Sequence, residues 1–369
     1  MFSPSDELMM RRALALAAQG LFTTSPNPRV GCVIVKEGLV VGEGWHERAG
    51  EPHAEVMALN RAGADQAKGA TVYVTLEPCS HFGKTPPCAN ALMQAGVRQV
   101  IVAMQDPNPK VAGKGLQALR DAGIEVRCGL LQDEAMDLNA GFIKRMVTGL
   151  PWVRAKSAAS IDGRTALPSG QSQWITSQAA RDDGHAWRAR ACAVLTGIGT
   201  VRKDNPRMDV RAVLTERQPL RVVVDTRFEV DPYAHILASG NALVAVCVDL
   251  SVPVYQQKAQ SLQDRGVEVV TLPAEGQGGK LDLVALLQAF AQRELNEIHL
   301  EGGAQLCGAF MRQGLIDEWL IYTAPVFLGE GSPIAAGVGP WSQVDDAPRW
   351  RWKEQVLVGD ALRSRLVKI

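Results

Sequence analysis

The chain lacks any stretch approaching the ~18 apolar residues a membrane-crossing helix needs, so a membrane partner is not expected. It also lacks an excess of either charge: 39 basic side chains stand against 39 acidic ones, and the balance holds within each half. A nucleic-acid surface needs a basic stripe or patch, so a nucleic-acid partner is not expected either. Cysteine is sparse, seven in 369 residues, an odd count unlike the dense, even frameworks of small secreted domains. The expected setting is a reducing cytoplasm, where a clustered cysteine pair points to metal or catalysis. Internal repeats and low-complexity tracts are missing too. The N-terminal "RRALALAA" does not make a secretory signal, because Asp6 and Glu7 precede the arginines and the apolar run is short. Ser3-Pro4-Ser5-Asp6 reads instead as a capped helix start.

What is present is enough apolar sequence for two ordinary cores, and the length favours two domains. From Val30 apolar runs alternate with helical patterns: "VGCVIV", "HAEVMALNRAG", "ATVYVTLEP", "CANALMQAG", "QVIVAMQDP", "GLQALRDAG", "IEVRCGLL". Such alternation predicts helices packed on a largely parallel sheet. After a helix from Gln132, "TGLP" is the linker candidate, dividing the chain into 1–148 and 149–369. The second half restarts the alternation with "PWVRAKSAAS", "AVLTGIG", "RVVVDT", "ALVAVCV", "VEVVTL", "EIHLEGG" and "EWLIYTAPVFL". It closes on a hairpin turning at Gly359-Asp360.

His53-Ala54-Glu55 opens a helical pattern, Pro78-Cys79 ends the strand "ATVYVTLE", and Cys88 starts the next helix. One imidazole and two thiolates around Zn²⁺ leave a fourth position for water, which separates catalytic from structural zinc. Ligands at a strand end and two helix starts converge on one face of an α/β sheet. In zinc nucleobase deaminases the glutamate of His-x-Glu is not a ligand but carries protons to the ring nitrogen and the departing amine. The signature there closes with Cys-x-x-Cys, whereas eight residues separate Cys79 from Cys88. Three alternatives stand beside the catalytic reading: a disulfide, disfavoured by compartment, an inert buried thiol pair, and a structural zinc with His81 as fourth ligand.

"SPNPRVGCVIV", "GEGWHERAGEPHAE", "TVYVTLEPCSHFGKTPPCANAL" and "DPNPKVAGKG" closely resemble the deaminase half of the bifunctional riboflavin-biosynthesis deaminase/reductase family, whose form includes the lengthened cysteine loop. "KSAASIDGRTA", "SGQSQWITS", "LTGIGTVRKDNPRMDVR", "VVDT" and "LEGGAQL" are similar to its reductase half in order and spacing. The resemblance implies a cytidine-deaminase-like three-layer αβα domain followed by a dihydrofolate-reductase-like α/β domain. It implies Zn²⁺ on His53, Cys79 and Cys88, with Glu55 shuttling protons. It implies hydrolytic loss of the 2-amino group of 2,5-diamino-6-(ribosylamino)-4(3H)-pyrimidinone 5′-phosphate, then NADPH-dependent reduction of the ribosyl group to ribityl. A homo-oligomer, dimer or tetramer, is inferred from the resemblance alone.

Around the zinc, Asn27 between two prolines can present its amide to the pyrimidine edge, and His81 and Lys84 can meet the ribose phosphate. His46 is a candidate substrate contact. The structural alternatives are a turn residue for Asn27, a solvated loop tip for Lys84 and a satisfied imidazole for His46.

In the second half Gly-x-Gly-x-x-Gly is absent, since "GIGTVR" has Arg202 where the third glycine would stand. Two other glycine turns, at Gly197-Ile198-Gly199-Thr200 and Gly302-Gly303, sit between a strand and a helix start, where exposed amides favour phosphate. By the resemblance Ala158, Trp174, Thr200, Asp204, Thr226 and the stretch Gly303, Ala304, Gln305, Leu306, Cys307, Gly308 and Ala309 contact NADPH. Ser172, Arg188, Met208, Arg211 and Glu301 contact substrate. Arg188 and Arg211 suit a bidentate phosphate clamp, with surface pairing to Asp183 or Asp209 as the alternative, and Trp174 reads equally as core. Asp204 and Lys156 are candidates for polar work in hydride transfer, and Arg227 for the 2′-phosphate. Val326 stands where the family pattern leads one to expect a basic residue.

Overall fold

The computed structural model describes residues 2–80, 87–109, 111–276 and 279–369, in two compact units, Met1–Gly149 and Leu150–Ile369. In the first, five strands lie in the order Leu39–Trp45, Gly31–Lys36, Thr71–Val74, Gln99–Val102, Glu125–Cys128. The last three run parallel, while Gly31–Lys36 is antiparallel to both its neighbours. The sheet is therefore mixed rather than largely parallel on this side.

The two faces follow the strand period of two. Cys32, Ile34, Val72, Val74, Val100 and Val102 pack against Ala54, Ala58, Ala89, Leu92, Leu116 and Leu119 of three helices, Ala54–Ala62, Cys88–Gln94 and Lys114–Asp121. Val33, Tyr73 and Ile101 face Met10 and Ala13 of the helix Pro4–Gln19 and Ala135 of Gln132–Leu138. The result is three layers, αβα. The helix Pro4–Gln19 starts with a reciprocal capping box between Ser3 and Asp6. The strand Leu39–Trp45 is not among the apolar runs of the sequence because two of its inward positions are glycine. A Cβ on Gly42 or Gly44 would lie 2.3 or 2.5 Å from the carbonyl oxygens of Ala58 and Ala54. The glycines let the helix carrying Glu55 lie directly on the strand.

The second unit is built on nine strands, in the order Val267–Thr271, Ala242–Val246, Leu220–Val224, Ala193–Gly197, Glu297–Leu300, Trp152–Ser160, Glu318–Ala324, Ala361–Lys368, Trp350–Val358. The first seven are parallel and the last two form the antiparallel hairpin, with Val358 opposite Ala361 across Gly359-Asp360. Leu286, Leu287 and Phe290 of Leu283–Gln292 and Phe310 of Ala304–Arg312 fill one core against the sheet. The helix Gln178–Arg190 covers a polar stretch of the sheet, where its Arg190 and Arg188 meet Glu297 and Glu301. The Trp152–Ser160 strand, first of this unit, lies between Glu297–Leu300 and Glu318–Ala324, both later in the chain. A parallel sheet opens a crevice at the carboxyl ends of its strands where the order reverses, and Ala158, Gly197 and Glu301 lie at those ends.

Candidate functional sites

His53 is the extended residue that precedes the helix Ala54–Ala62, and its side chain makes no capping bond, so the imidazole is available for other work. Cys88 is the first residue of Cys88–Gln94, after Pro87. Cys79 follows Pro78 past the strand Thr71–Val74. The Nδ1 of His53 lies 3.2 Å from the Cys88 sulfur and 3.7 Å from that of Cys79. All three donor atoms lie within 4.8 Å of one another. Zinc bonds of ~2.0 Å to nitrogen and ~2.3 Å to sulfur, in a tetrahedron, set ligand edges on the order of 3.5 to 3.8 Å. The donor set thus fits Zn²⁺ with a fourth position left over. The two cysteines are free thiols, not a disulfide.

The electrostatics agree with a cation site. The hydrogen bond with Cys88, aided by His53, pulls the Cys79 thiol down to about 4, while the same bond and burial push Cys88 well above the usual thiol range. The Cys88 backbone N–H also donates to the Cys79 sulfur at 3.2 Å. Glu55, in the first turn of its helix, is 3% exposed. Burial pushes its carboxyl up to about 7.

His46 is buried, with Nδ1 3.2 Å from the Pro52 carbonyl oxygen and Nε2 3.0 Å from Asn27 Nδ2. A carbonyl can only accept, so Nδ1 carries the proton, and the neutral Nε2 must accept from the Asn27 amide. Burial lowers the His46 pKa and favours that neutral form. The Asn27 carbonyl oxygen is thereby the group turned away from His46. His46 itself, with both nitrogens engaged, fits the satisfied imidazole better than a substrate contact. His81 and Lys84 lie outside the described residues.

In the second unit a cavity of about 750 Å³ opens at the strand ends, between the two glycine turns. Ala158, Trp174, Thr200, Asp204, Gly303, Ala304, Gln305 and Leu306 line it, as do Ser172, Arg188, Met208, Arg211, Glu301 and Lys156. A Cβ on Gly199 would meet nothing within 4 Å, and one on Gly303 only Thr200 Oγ1 at 3.6 Å. Side chains there would project into open space, so the bare turns leave room for a phosphate against the backbone. Gly303 also caps Ala304–Arg312 without a side-chain bond, which leaves first-turn amides for an anion. These features suit a dinucleotide.

Cys307, Gly308 and Ala309 do not line the cavity. Cys307 is fully buried in the core with its thiol on the Gly302 carbonyl, and a Cβ on Gly308 would lie 1.8 Å from Ala336 O. Three helical positions after the cap, the chain has turned inward. Thr226 and Arg227 do not line it either; Arg227 is exposed, with Glu229 at 3.9 Å. Nor does Val326. Trp174 is 70% exposed and stacks on Arg181 rather than joining the core.

Arg188 forms a bidentate pair with Glu301, through Nε and, at 2.9 Å, through Nη2, and donates to the Asp209 carbonyl at 3.1 Å. Asp183, one partner offered by the alternative of surface pairing, is instead bound to Arg363 and Tyr322. Arg211 does pair with Asp209, at 2.7 Å. Burial would raise the Glu301 pKa, but Arg188 and Lys156 hold it well below the carboxylate range. Lys156 Nζ stands 4.0 Å from Glu301, and burial lowers its pKa. His299, fully buried with Nε2 3.5 Å from Glu301, is kept neutral by burial, its pKa lowered to about 3. Met208 holds a left-handed backbone at φ 53°, uncommon for a side chain of its size. Lys203 and Arg207 also line the cavity; both sit inside the quoted motif "TVRKDNPRMDVR", which carried the signal.

Residues 151–360 match the family described as the RibD C-terminal domain, and residues 3–104 match the cytidine and deoxycytidylate deaminase zinc-binding region. The riboflavin biosynthesis protein RibD of Escherichia coli K12 is 46% identical over 374 residues, spanning 98% of this chain and 99% of its own. A solved structure of Acinetobacter baumannii RibD is 43% identical and superposes with a TM-score of 0.89 over 99% of each chain. The Thermotoga maritima diaminohydroxyphosphoribosylaminopyrimidine deaminase/5-amino-6-(5-phosphoribosylamino)uracil reductase, 31% identical, gives a TM-score of 0.84, also over 99% of each chain.

Proposed function

The chain belongs to the RibD family of bifunctional riboflavin-biosynthesis deaminase/reductases, and from that premise we propose how its residues divide the work. It is an enzyme that deaminates and reduces a riboflavin precursor. We assign deamination to residues 1–148 and reduction to 149–369, the substrate being 2,5-diamino-6-(ribosylamino)-4(3H)-pyrimidinone 5′-phosphate. The observation that supports the deaminase assignment most is a buried glutamate two residues after a histidine that converges with two cysteines.

His53, Cys79 and Cys88 would hold Zn²⁺, whose Lewis acidity makes water a nucleophile near neutral pH. Glu55 takes one proton from the attacking water to the ring nitrogen and then a second, from the hydroxyl that addition leaves on the ring carbon, to the departing amine; the carbon–amine bond breaks as the carbonyl forms, ammonia leaves, and the carboxyl ends unchanged. Its burial beside the ligands excludes bulk water from that exchange. Asn27, held by His46, turns its carbonyl oxygen toward the pyrimidine edge and reads a ring N–H or amino donor.

In the second unit the turns at Gly199 and Gly303, with Ala158, Trp174, Thr200, Asp204, Ala304, Gln305 and Leu306, would hold NADPH, which supplies hydride to C1′ of the ribosyl group. Ser172, Met208, Arg211 and Arg188 bind the substrate, the two arginines meeting its phosphate. Glu301 keeps Arg188 extended into the cavity, and Lys156 stabilises charge or gives a proton as the ring opens.

Ammonia release, NADPH oxidation and bound zinc in wild type and Glu55→Gln test the scheme. The variant should keep zinc and reduce the supplied deaminated intermediate, while deamination falls by about 100-fold or more. Wild-type ammonia release by Glu55→Gln would remove the proton-carrier role, and a wild type without zinc would remove the metal.

A further inference from the structure

The motif "DPNPKVAGKG" has no part in the chemistry so far, yet three of its backbone N–H groups converge on one buried side chain. Glu77, two residues before Cys79, is 5% exposed. Its Oε2 accepts the backbone N–H groups of Asp106 at 3.0 Å and Gly113 at 2.9 Å. Its Oε1 accepts those of Gly115 at 2.8 Å and Leu116 at 3.3 Å. Glu77's own N–H donates to the Met104 carbonyl at 3.0 Å.

Gly115 and Leu116 lie in the first turn of the helix Lys114–Asp121, whose cap, Gly113, has no side chain to satisfy those amides. An uncapped first turn leaves donors unpaired. Glu77 provides the cap from a segment nearly forty residues away. The two segments touch with no room between them: a Cβ on Gly115 would lie 2.0 Å from the Pro78 carbonyl oxygen. On its other side, the Cys79 carbonyl accepts the Ala89 N–H at 3.1 Å and its sulfur the Cys88 N–H at 3.2 Å. Cys79 is therefore held between two helix starts, one of them joined to its segment by the Glu77 carboxylate and by the contact of Gly115 with Pro78.

We infer that Glu77 is a positioning residue for the deaminase centre, setting the place of the Cys79 sulfur by capping the helix Lys114–Asp121. The inference rests on the reading of His53, Cys79 and Cys88 as the zinc site. Only a carboxylate meets four N–H donors with two accepting oxygens; the NH2 of a glutamine would face two of those donors. Outer groups that fix a ligand's position change metal affinity by about 10- to 100-fold.

The test uses the full zinc-loaded chain with Glu77→Gln, and Gly115→Ala, which presses on Pro78 from the opposite side. Zinc retention is titrated against a chromophoric chelator, alongside ammonia release and reduction of the supplied deaminated intermediate. Both variants should give up zinc to roughly tenfold less chelator or lower still, deaminate more slowly in proportion, and reduce within twofold of wild type. Amide exchange at Asp106, Gly113, Gly115 and Leu116 should rise in Glu77→Gln, which a role confined to packing bulk would not produce. Zinc held as tightly as in wild type by either variant overturns the inference while leaving the metal reading intact. A wild type that binds no zinc overturns both. If Glu77→Gln leaves the first unit unfolded, as judged by amide exchange across its strands, Gly115→Ala carries the test alone.

Discussion

Glu318→Gln should destabilise the second unit by about 3 kcal/mol, and the reason lies beneath its helix Gln178–Arg190. Glu318 is 1% exposed; it accepts from Arg154 at 2.9 Å, from Arg365 at 2.7 Å and from the Trp152 indole at 3.2 Å. Arg154, fully buried, turns its other nitrogen to Glu297 at 3.1 Å, which also accepts from Arg190 at 2.8 Å. The cluster holds three guanidiniums and two carboxylates, with Trp187 stacked against Arg154 at 4.7 Å. Burial alone would raise the Glu318 pKa from 4.5, but Arg154 and Arg365 bring it down to about 2. Such a displacement corresponds to about 3 kcal/mol, near the ~3 to 5 kcal/mol of breaking a buried pair from one side. With an unfolding entropy of about 2.1 cal/mol/K per residue, a unit spanning Leu150–Ile369 should lose about 6 to 8 °C in Tm. A carboxyl whose pKa is lowered on folding stabilises above its unfolded value and loses that contribution as pH falls through the folded one. The gap between wild type and variant should hold above pH 4.5 and shrink toward pH 2. Calorimetry at low salt across that range measures it. A Tm at pH 7 within about 1 °C of wild type refutes the ~3 kcal/mol worked from this pair, and a gap that does not shrink with acid refutes its origin in ionisation.

Two further perturbations separate the sites. Arg188→Met leaves Glu301 without its bidentate partner, so reductase kcat/KM should fall by about 100-fold or more, and deamination should not change. The Glu301 pKa should rise, moving the acidic limb of the residual pH–rate profile to higher pH; an unmoved limb would refute the pairing as its cause. At the deaminase site, Asn27→Ala and His46→Phe should each lower kcat/KM for ammonia release, and the double variant should be no worse than the more damaged single one, because His46 acts through Asn27. Losses that multiply would show that His46 acts on its own.

The His53, Cys79 and Cys88 cluster was legible because metal chemistry requires few residue types near element ends: His53 and Cys88 stand at helix starts, and Cys79 lies beyond the strand Thr71–Val74. The cavity residues came from motifs, and those nearest the turns line the cavity; Cys307, Gly308 and Ala309 do not, since helical rotation carries a contiguous stretch away from any one surface. The strand Leu39–Trp45 was hidden because its inward glycines have meaning only against the helix Ala54–Ala62. Glu77 was hidden for a related reason. Its letter stood in a quoted motif, but four backbone amides leave no mark on the residue types that carry them. The Arg154 cluster was beyond reach from "PWVRAKSAAS", because its carboxylates come from strands 143 and 164 residues later.

That buried cluster and the cavity of the second unit are one pattern read along the same strands. Residues two apart share a face, so Arg154, Lys156 and Ala158 project together from Trp152–Ser160, as do Glu297, His299 and Glu301 from the adjoining segment. At the amino end both terminal nitrogens of Arg154 are paired within the protein, with Glu297 and Glu318. Two residues on from Arg154 and four on from Glu297, Lys156 and Glu301 stand 4.0 Å apart and both line the cavity. The same alternation of charge thus changes from internal pairing to partial exposure within one step of the strand period for the cations and two for the carboxylates. Helix Gln178–Arg190 follows suit, with Arg190 on Glu297 and Arg188 on Glu301. The carboxyl end of a parallel strand is where the covering layers part, so charges placed there can meet a ligand while their neighbours two residues back hold the frame. Glu318→Gln should accordingly lower the melting temperature with little change in reduction at 25 °C, whereas Arg188→Met should abolish most reduction at a temperature where the unit is still folded.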